Sequence, residues 1–183
     1  MEDQLAIIVG IVSQKGGVGK STIARLLARE FAAQDWAVKI ADLDISQGTT
    51  FRWSVRRRAN GIKPDIPVEQ YGQVQLALGD AHQYALLVLD GAPHGSLATR
   101  DIADASDLVV IPTGMAVDDL EPAVILARDL AKHIDSSRIA FALSHVGNSE
   151  RETEEVRQYL GQTSYTVLDG ALPDMIGYRR AFD

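Results

Sequence analysis

Cysteine is absent from the 183-residue chain. That one absence removes a disulfide framework, a Cys-ligated zinc or iron–sulfur site and a thiol nucleophile together. There is no run of 18 apolar residues and no basic-then-apolar leader before the first strand-like segment, so the cytoplasm is the expected compartment. Basic residues are in deficit, with 18 Lys+Arg against 25 Asp+Glu and a net charge of −7. A chain coated in positive charge is thereby excluded, and any nucleic-acid binding must come from a local patch. Internal repeats, low-complexity tracts and linkers are also missing, which leaves one domain. What is present suffices for one: 46% of residues are apolar, and at this length a fold buries roughly 70% of its unfolded surface without staples.

Short apolar, β-branched runs alternate with longer amphipathic stretches, the pattern of βαβ units. Leu5 to Val12 is almost continuously apolar, as a strand covered on both faces should be. Residues 20–34 place Ile23, Leu26, Leu27, Ala28 and Phe31 on one helical stripe. Further strands are expected at 37–43, 84–89, 107–111, 138–143 and 164–168, with a short one near Pro67 to Tyr71. The clearest later helix spans 117–133. The expected fold class is α/β: a doubly wound, mostly parallel sheet with helices on both faces.

Directly between the first strand and first helix stands Ser13-Gln14-Lys15-Gly16-Gly17-Val18-Gly19-Lys20-Ser21-Thr22. Three glycines in four positions let the backbone curl so that successive N–H groups, with the helix N-terminus, meet phosphate oxygens. Gly16, Gly17, Val18, Gly19, Lys20, Ser21 and Thr22 are the candidate phosphate cradle. Lys20 would reach the β/γ-phosphates and the Ser21 hydroxyl would hold Mg²⁺. The usual glycine five residues before Gly19 is replaced by Gln14, and an added lysine, Lys15, opens the turn. This Lys-Gly-Gly-x-Gly-Lys-Ser form resembles the deviant Walker A motif of the ParA/MinD family of ATPases. The resemblance implies ATP as substrate, a P-loop fold, and a nucleotide-sandwich homodimer in which Lys15 acts in trans on the partner's ATP.

Two more stations fall where the resemblance requires them. Asp42-Leu43-Asp44 ends the second strand, and the family's second aspartate there positions the attacking water, a role that maps to Asp44. The familiar Asp-Pro-Gln-Gly continuation is here Asp44-Ile45-Ser46-Gln47-Gly48, one residue longer. The strand at 84–89 delivers Asp90, in the Walker B arrangement in which a carboxylate orders Mg²⁺ through water, and Asp42 is the second carboxylate expected to do so. Gly91 would open switch II, where a backbone N–H senses the γ-phosphate. Leu172-Pro173-Asp174 resembles the adenine-contacting loop, which assigns Pro173 to the base. His82, His94, His133 and His145 show no metal-ligand spacing and read as surface or loop residues, with His94 in switch II. Trp36 and Trp53 read as packing residues.

Within the resemblance, the missing cysteines exclude cluster-binding relatives, and the dispersed tyrosines exclude the tyrosine-kinase branch. The end, Met175 to Asp183, lacks the apolar surface of a membrane helix, which disfavours a membrane partner. Only four residues precede the first strand, so no N-terminal operator-binding domain is expected. Residues 1–183 read as a single P-loop ATPase domain, either cut short at its C-terminus or a small member. The branch implied is ParA: partition of plasmids or chromosomes on nonspecific nucleoid DNA, with a ParB-like or centromere-binding adaptor that stimulates hydrolysis. Positioning of another cargo (a chemotaxis array, carboxysome or conjugation complex) is the alternative, with a MinD-like membrane-associated ATPase as a third. Residues 52–63 carry five cations and no acid, leaving the rest with 13 basic and 25 acidic groups. Arg56, Arg57 and Arg58 are therefore candidate DNA contacts, and Arg179 and Arg180, by the resemblance, are a second patch.

Overall fold

Four successive apolar residues, Leu86 to Leu89, are each no more than 1% exposed, which requires a strand covered on both faces. They belong to the centre of a parallel sheet. The computed structural model describes residues 6–93 and 97–174. Among these, β1 (Ile7–Ile11), β2 (Val38–Asp42), β3 (Val68–Gln70), β4 (Leu86–Asp90), β5 (Leu108–Thr113), β6 (Ile139–Val146) and β7 (Thr166–Pro173) pair in the order β3-β2-β4-β1-β5-β6-β7. Every pairing is parallel.

Helices α1 (Lys20–Ala32) and α2 (Thr49–Ala59) cover one face, where Ala24, Ala28 and Trp53 pack on Val9, Ile11, Val38 and Ile40. The other face is covered by α3 (Val74–Leu78), α4 (Leu97–Ala105), α5 (Val117–Leu130) and α6 (Glu150–Gly161). There Ile102, Leu120, Val124 and Leu160 join Leu87, Leu89, Ile111 and Phe141 in a second core. Each such fully buried aliphatic side chain contributes about 1.5–3 kcal/mol. Gly10 sets the approach of α4, because a Cβ there would lie 2.5 Å from both Ile102 Cγ2 and Ser106 Oγ.

The expected elements are present, with differences that have physical causes. The buried stripe of α1 is Lys20, Ala24, Arg25 and Ala28, while Ile23, Leu27 and Phe31 pack only partly against the core. Small residues let the helix lie close to the sheet, and the larger ones fill its margins. The last strand runs to Pro173 instead of ending near 168, because its pairing with β6 shifts register twice on the way to Val146 opposite Pro173. Lys39, in the middle of β2, is 2% exposed. It is held by Glu69 at 2.9 Å and Asp80 at 3.0 Å, with the Tyr71 and Tyr84 rings 5.3 and 5.4 Å away. Burial opposes its charge, but the Tyr71 hydroxyl together with Glu69 and Asp80 outweighs it and raises its pKa.

Candidate functional site

The chain leaves β1 and turns back over the start of α1 with two glycines in conformations that side chains rarely adopt, Gly17 at φ 79° and Gly19 at φ 93°. Gly19 is the N-cap of α1 and supplies no side-chain cap. The first N–H groups of a helix have no partner within it, and here they open onto a cleft of about 250 Å³ lined by Gly16, Gly17, Gly19, Lys20, Ser21 and Thr22. Val18 is buried instead, and its carbonyl accepts the Ser144 hydroxyl at 2.7 Å. Within the loop, Ser13 Oγ accepts the Lys15 N–H at 3.0 Å and donates to the Lys15 carbonyl at 3.1 Å. Lys20 Nζ donates to that same carbonyl at 3.2 Å. Burial lowers the Lys20 pKa, against the opposing pull of Asp90 and Asp44.

Lys15 turns towards its own chain. Its ammonium pairs with Asp119 and donates to the Asp118 carbonyl at 3.2 Å. Pro122, inside α5, lacks the N–H that would otherwise bond that carbonyl, so the lysine takes up an acceptor the helix cannot use.

Opposite the loop, Asp44 borders the cleft. Its Oδ1 accepts Ser46 Oγ at 2.7 Å and Gln47 N–H at 3.0 Å, and its carbonyl accepts Gly48 N–H at 2.7 Å. The additional residue after Asp44 is thus absorbed in a tight turn held by Asp44 itself. Asp42 and Asp90 lie opposite each other on β2 and β4, yet they are used differently. Asp42 is committed to backbone, with Oδ1 accepting Asp44 N–H at 3.1 Å and Oδ2 accepting Phe51 N–H at 2.9 Å. Asp90 is 2% exposed; its Oδ2 accepts Thr50 Oγ1 at 2.6 Å, and its Oδ1 is buried without a hydrogen-bond partner. Burial pushes its carboxyl up to about 6, against the lowering pull of the Thr50 hydroxyl and of the Ser21 hydroxyl, which lies beside the carboxylate without completing a well-formed bond to Oδ1.

Asp90 Oδ1 supplies the test of whether Mg²⁺ fits. An unpartnered buried carboxylate oxygen is a costly arrangement that a cation or its bound water relieves. Among the described residues no cluster of three His, Asp or Glu forms an all-protein cage. That donor set suits Mg²⁺, which keeps waters and binds through few carboxylates together with phosphate. Ser21, in the cleft wall, and Asp90 are the residues that would hold it.

Gly91 N–H donates to the Ile11 carbonyl at 3.0 Å, so that group continues the sheet ladder and is not directed at a phosphate. Pro173 closes β7 opposite Val146, is exposed, and does not line the cleft. His94, Arg179 and Arg180 lie outside the described residues. The three α2 arginines expected to contact DNA divide: Arg58 is exposed, Arg56 is half-buried, and Arg57 packs inward. Arg57 donates to the Pro64 carbonyl at 2.9 Å and lies 4.9 Å from the Trp53 ring.

Two titratable cleft residues were given no site role by the sequence reading. His145, at φ 54°, sits at 2.8 Å from the Gly17 carbonyl through Nε2; with a carbonyl as acceptor, that nitrogen carries the proton. Arg25, 4% exposed, reaches the cleft from α1. The signal available for Arg25 was a cation four residues after Ser21, on the same helix face as the phosphate-loop hydroxyl.

The arrangement offers backbone donors and Lys20 to a phosphate chain, Ser21 and Asp90 to a cation, and Asp44 to a water beside them. These groups stand at the carboxyl ends of β1, β2 and β4, where open α/β sheets bind ligands. A carboxysome-distribution protein A from Gloeobacter kilaueensis is 34% identical over 114 residues, covering 62% of this chain and 51% of that protein. The chain therefore spans about half the length of this relative. A plasmid partition protein from Borrelia burgdorferi bound to AMPPNP superposes with TM-score 0.74 at 18% identity, covering 97% of this chain and 88% of that one. The septum site-determining protein MinD from Pyrococcus horikoshii, complexed with Mg-ADP, gives TM-score 0.75 at 16% identity, with 97% and 85% covered. Residues 9–182 match the CbiA family, the CobQ/CobB/MinD/ParA nucleotide binding domain, and with its phosphate loop and parallel sheet in place the chain belongs to that family.

Proposed function

We propose that the chain is a ParA-type ATPase that hydrolyses ATP slowly on its own, forms an ATP-dependent homodimer on nonspecific DNA, and is released when an adaptor protein stimulates hydrolysis. The observation that carries this reading is the convergence of Lys20, Ser21 and Asp44 on one cleft floored by the phosphate loop, with buried Asp90 beside the Ser21 hydroxyl. Lys20 and the loop N–H groups bind the β/γ-phosphates, and Asp44 orients water for in-line attack. When bound, Mg²⁺ supplies charge neutralisation on the transferring phosphoryl group. Lys15 is the residue for the second copy, after exchanging its pairing with Asp119 for a phosphate. The cytoplasm, at the nucleoid, is where this activity would operate. The outer side of α2 shows Arg52 and Arg58 beside Phe51 and Val55, all exposed, and is the described surface that best suits phosphate contacts.

The test is a gel shift with random duplex DNA under ATP, ADP and no nucleotide, paired with light scattering of Asp44→Ala. ATP alone should give a dimer and a shift that weakens steeply with salt; a dimer insensitive to nucleotide would overturn the reading. A second reading, distribution of a protein assembly instead of DNA, is supported by the carboxysome-distribution relative. It shares the ATPase cycle and differs in cargo.

A further inference from the structure

Beneath the cleft, helix α2 is docked on the two strand-end carboxylates. Its N-cap, Gly48, has no side chain to accept a first-turn N–H, and Asp42 accepts the Phe51 N–H in its place. The adjacent Thr50 is 0% exposed. Its hydroxyl accepts Arg25 Nε at 3.2 Å and donates to Asp90 Oδ2 at 2.6 Å. A hydroxyl has one proton. Because its lone pairs face the guanidinium, that proton is directed onto Asp90, and the short distance is that of a charge-assisted bond. One oxygen of Asp90 is thereby fixed, and Oδ1 is the one left for a cation's water. Arg25 is held in turn by α2, its guanidinium 5.5 Å from the Trp53 ring.

We infer that Thr50 and Arg25 are positioning residues for Asp90: they fix its carboxylate for Mg²⁺ and tie it to α2, so that cation loading is transmitted to the basic helix. This rests on the nucleotide reading above. The link is direct, since Thr50 belongs to the same helix as Arg52, Arg56 and Arg58. Partners that orient a metal's ligands typically matter 10–100-fold for metal affinity.

The experiment measures binding of a fluorescent ADP analogue to the full chain in EDTA and across a MgCl₂ titration, with hydrogen exchange of α2 as a second readout. Thr50→Val should keep its affinity in EDTA while the Mg²⁺ midpoint rises about 10-fold. Thr50→Ser should restore it, and Arg25→Met should shift it in the same direction as Thr50→Val. In the unaltered chain Mg²⁺ and nucleotide together should slow exchange in α2; in Thr50→Val that slowing should vanish while the phosphate loop stays protected. An unchanged Mg²⁺ midpoint, an α2 response that survives, or an equal loss of affinity in EDTA would overturn the inference. Failure of the unaltered chain to bind nucleotide in either buffer would overturn the nucleotide reading itself.

Discussion

The phosphate loop and helix α2 border the same cleft and are held by different kinds of group. The loop is shaped from within by glycine conformations, the Ser13 hydroxyl and the Lys20 ammonium, and is tethered at its Val18 and Gly17 carbonyls by Ser144 and His145 of β6. Helix α2 lacks a cap of its own and depends on carboxylates from β2 and β4. A loop tethered at its carbonyls keeps its Ser13, Ser144 and His145 contacts whether or not a ligand meets its N–H groups. A helix held on another element's carboxylates responds to whatever else those carboxylates bind.

Substitutions on the two sides should separate them. The largest effect is expected from Lys20→Ala, which would remove the charge-assisted bonds proposed for phosphate and should weaken nucleotide binding roughly 100-fold. Isothermal titration would measure it, and an affinity equal to the unaltered chain would contradict the site. Next comes a matched glycine pair. Gly19→Ala places a side chain at φ 93° with Ser144 Cβ 3.4 Å away, and should cost about 1–3 kcal/mol in urea unfolding with a loss of nucleotide affinity. Gly48→Ala sits at φ 52° against the tip of the Gln70 side chain. It should cost about 1–2 kcal/mol and leave metal-free nucleotide affinity unchanged.

Smaller effects follow on α2 itself. Arg58→Glu should lower DNA retention and reduce the salt slope by about 1, whereas Arg57→Glu should act chiefly on the melting temperature, since it breaks the contacts with Pro64 and Trp53. Equal loss of DNA binding with unchanged stability in both would erase that distinction. The smallest effect concerns pH. Glu69 and Asp80 are held below their usual pKa values by hydrogen bonds from Tyr71 and Lys39 for the first and from Lys39 for the second. Depressed carboxyl pKa values add stability above their unfolded values, 4.5 and 3.8, and that stability is lost as pH falls through the folded ones. Urea midpoints of the unaltered chain and Lys39→Met should therefore converge below about pH 4.

Legibility in the sequence followed the same division. The glycines, Lys20 and Ser21 were readable because a backbone cradle needs particular residues at consecutive positions, and Asp90 because an apolar strand delivers it. Thr50, Arg25 and His145 were not. Their partners lie 40, 25 and 128 residues away, and a contact between distant elements leaves no local spacing. The basic run at 52–63 announced a charged helix without saying that Arg57 would turn inward, because Trp53 and the Pro64 carbonyl that draw it there are set by packing.

Pro122 extends this lesson to the backbone. By withholding a donor from its own helix it makes the Asp118 carbonyl a receptor for Lys15, 103 residues earlier in the chain. A residue with no donor of its own thus sets how firmly the lysine is kept. Were an alanine to stand at 122, an amide and an ammonium would compete for one oxygen, and the regularity of α5 and the freedom of the phosphate loop's first lysine would become reciprocal quantities.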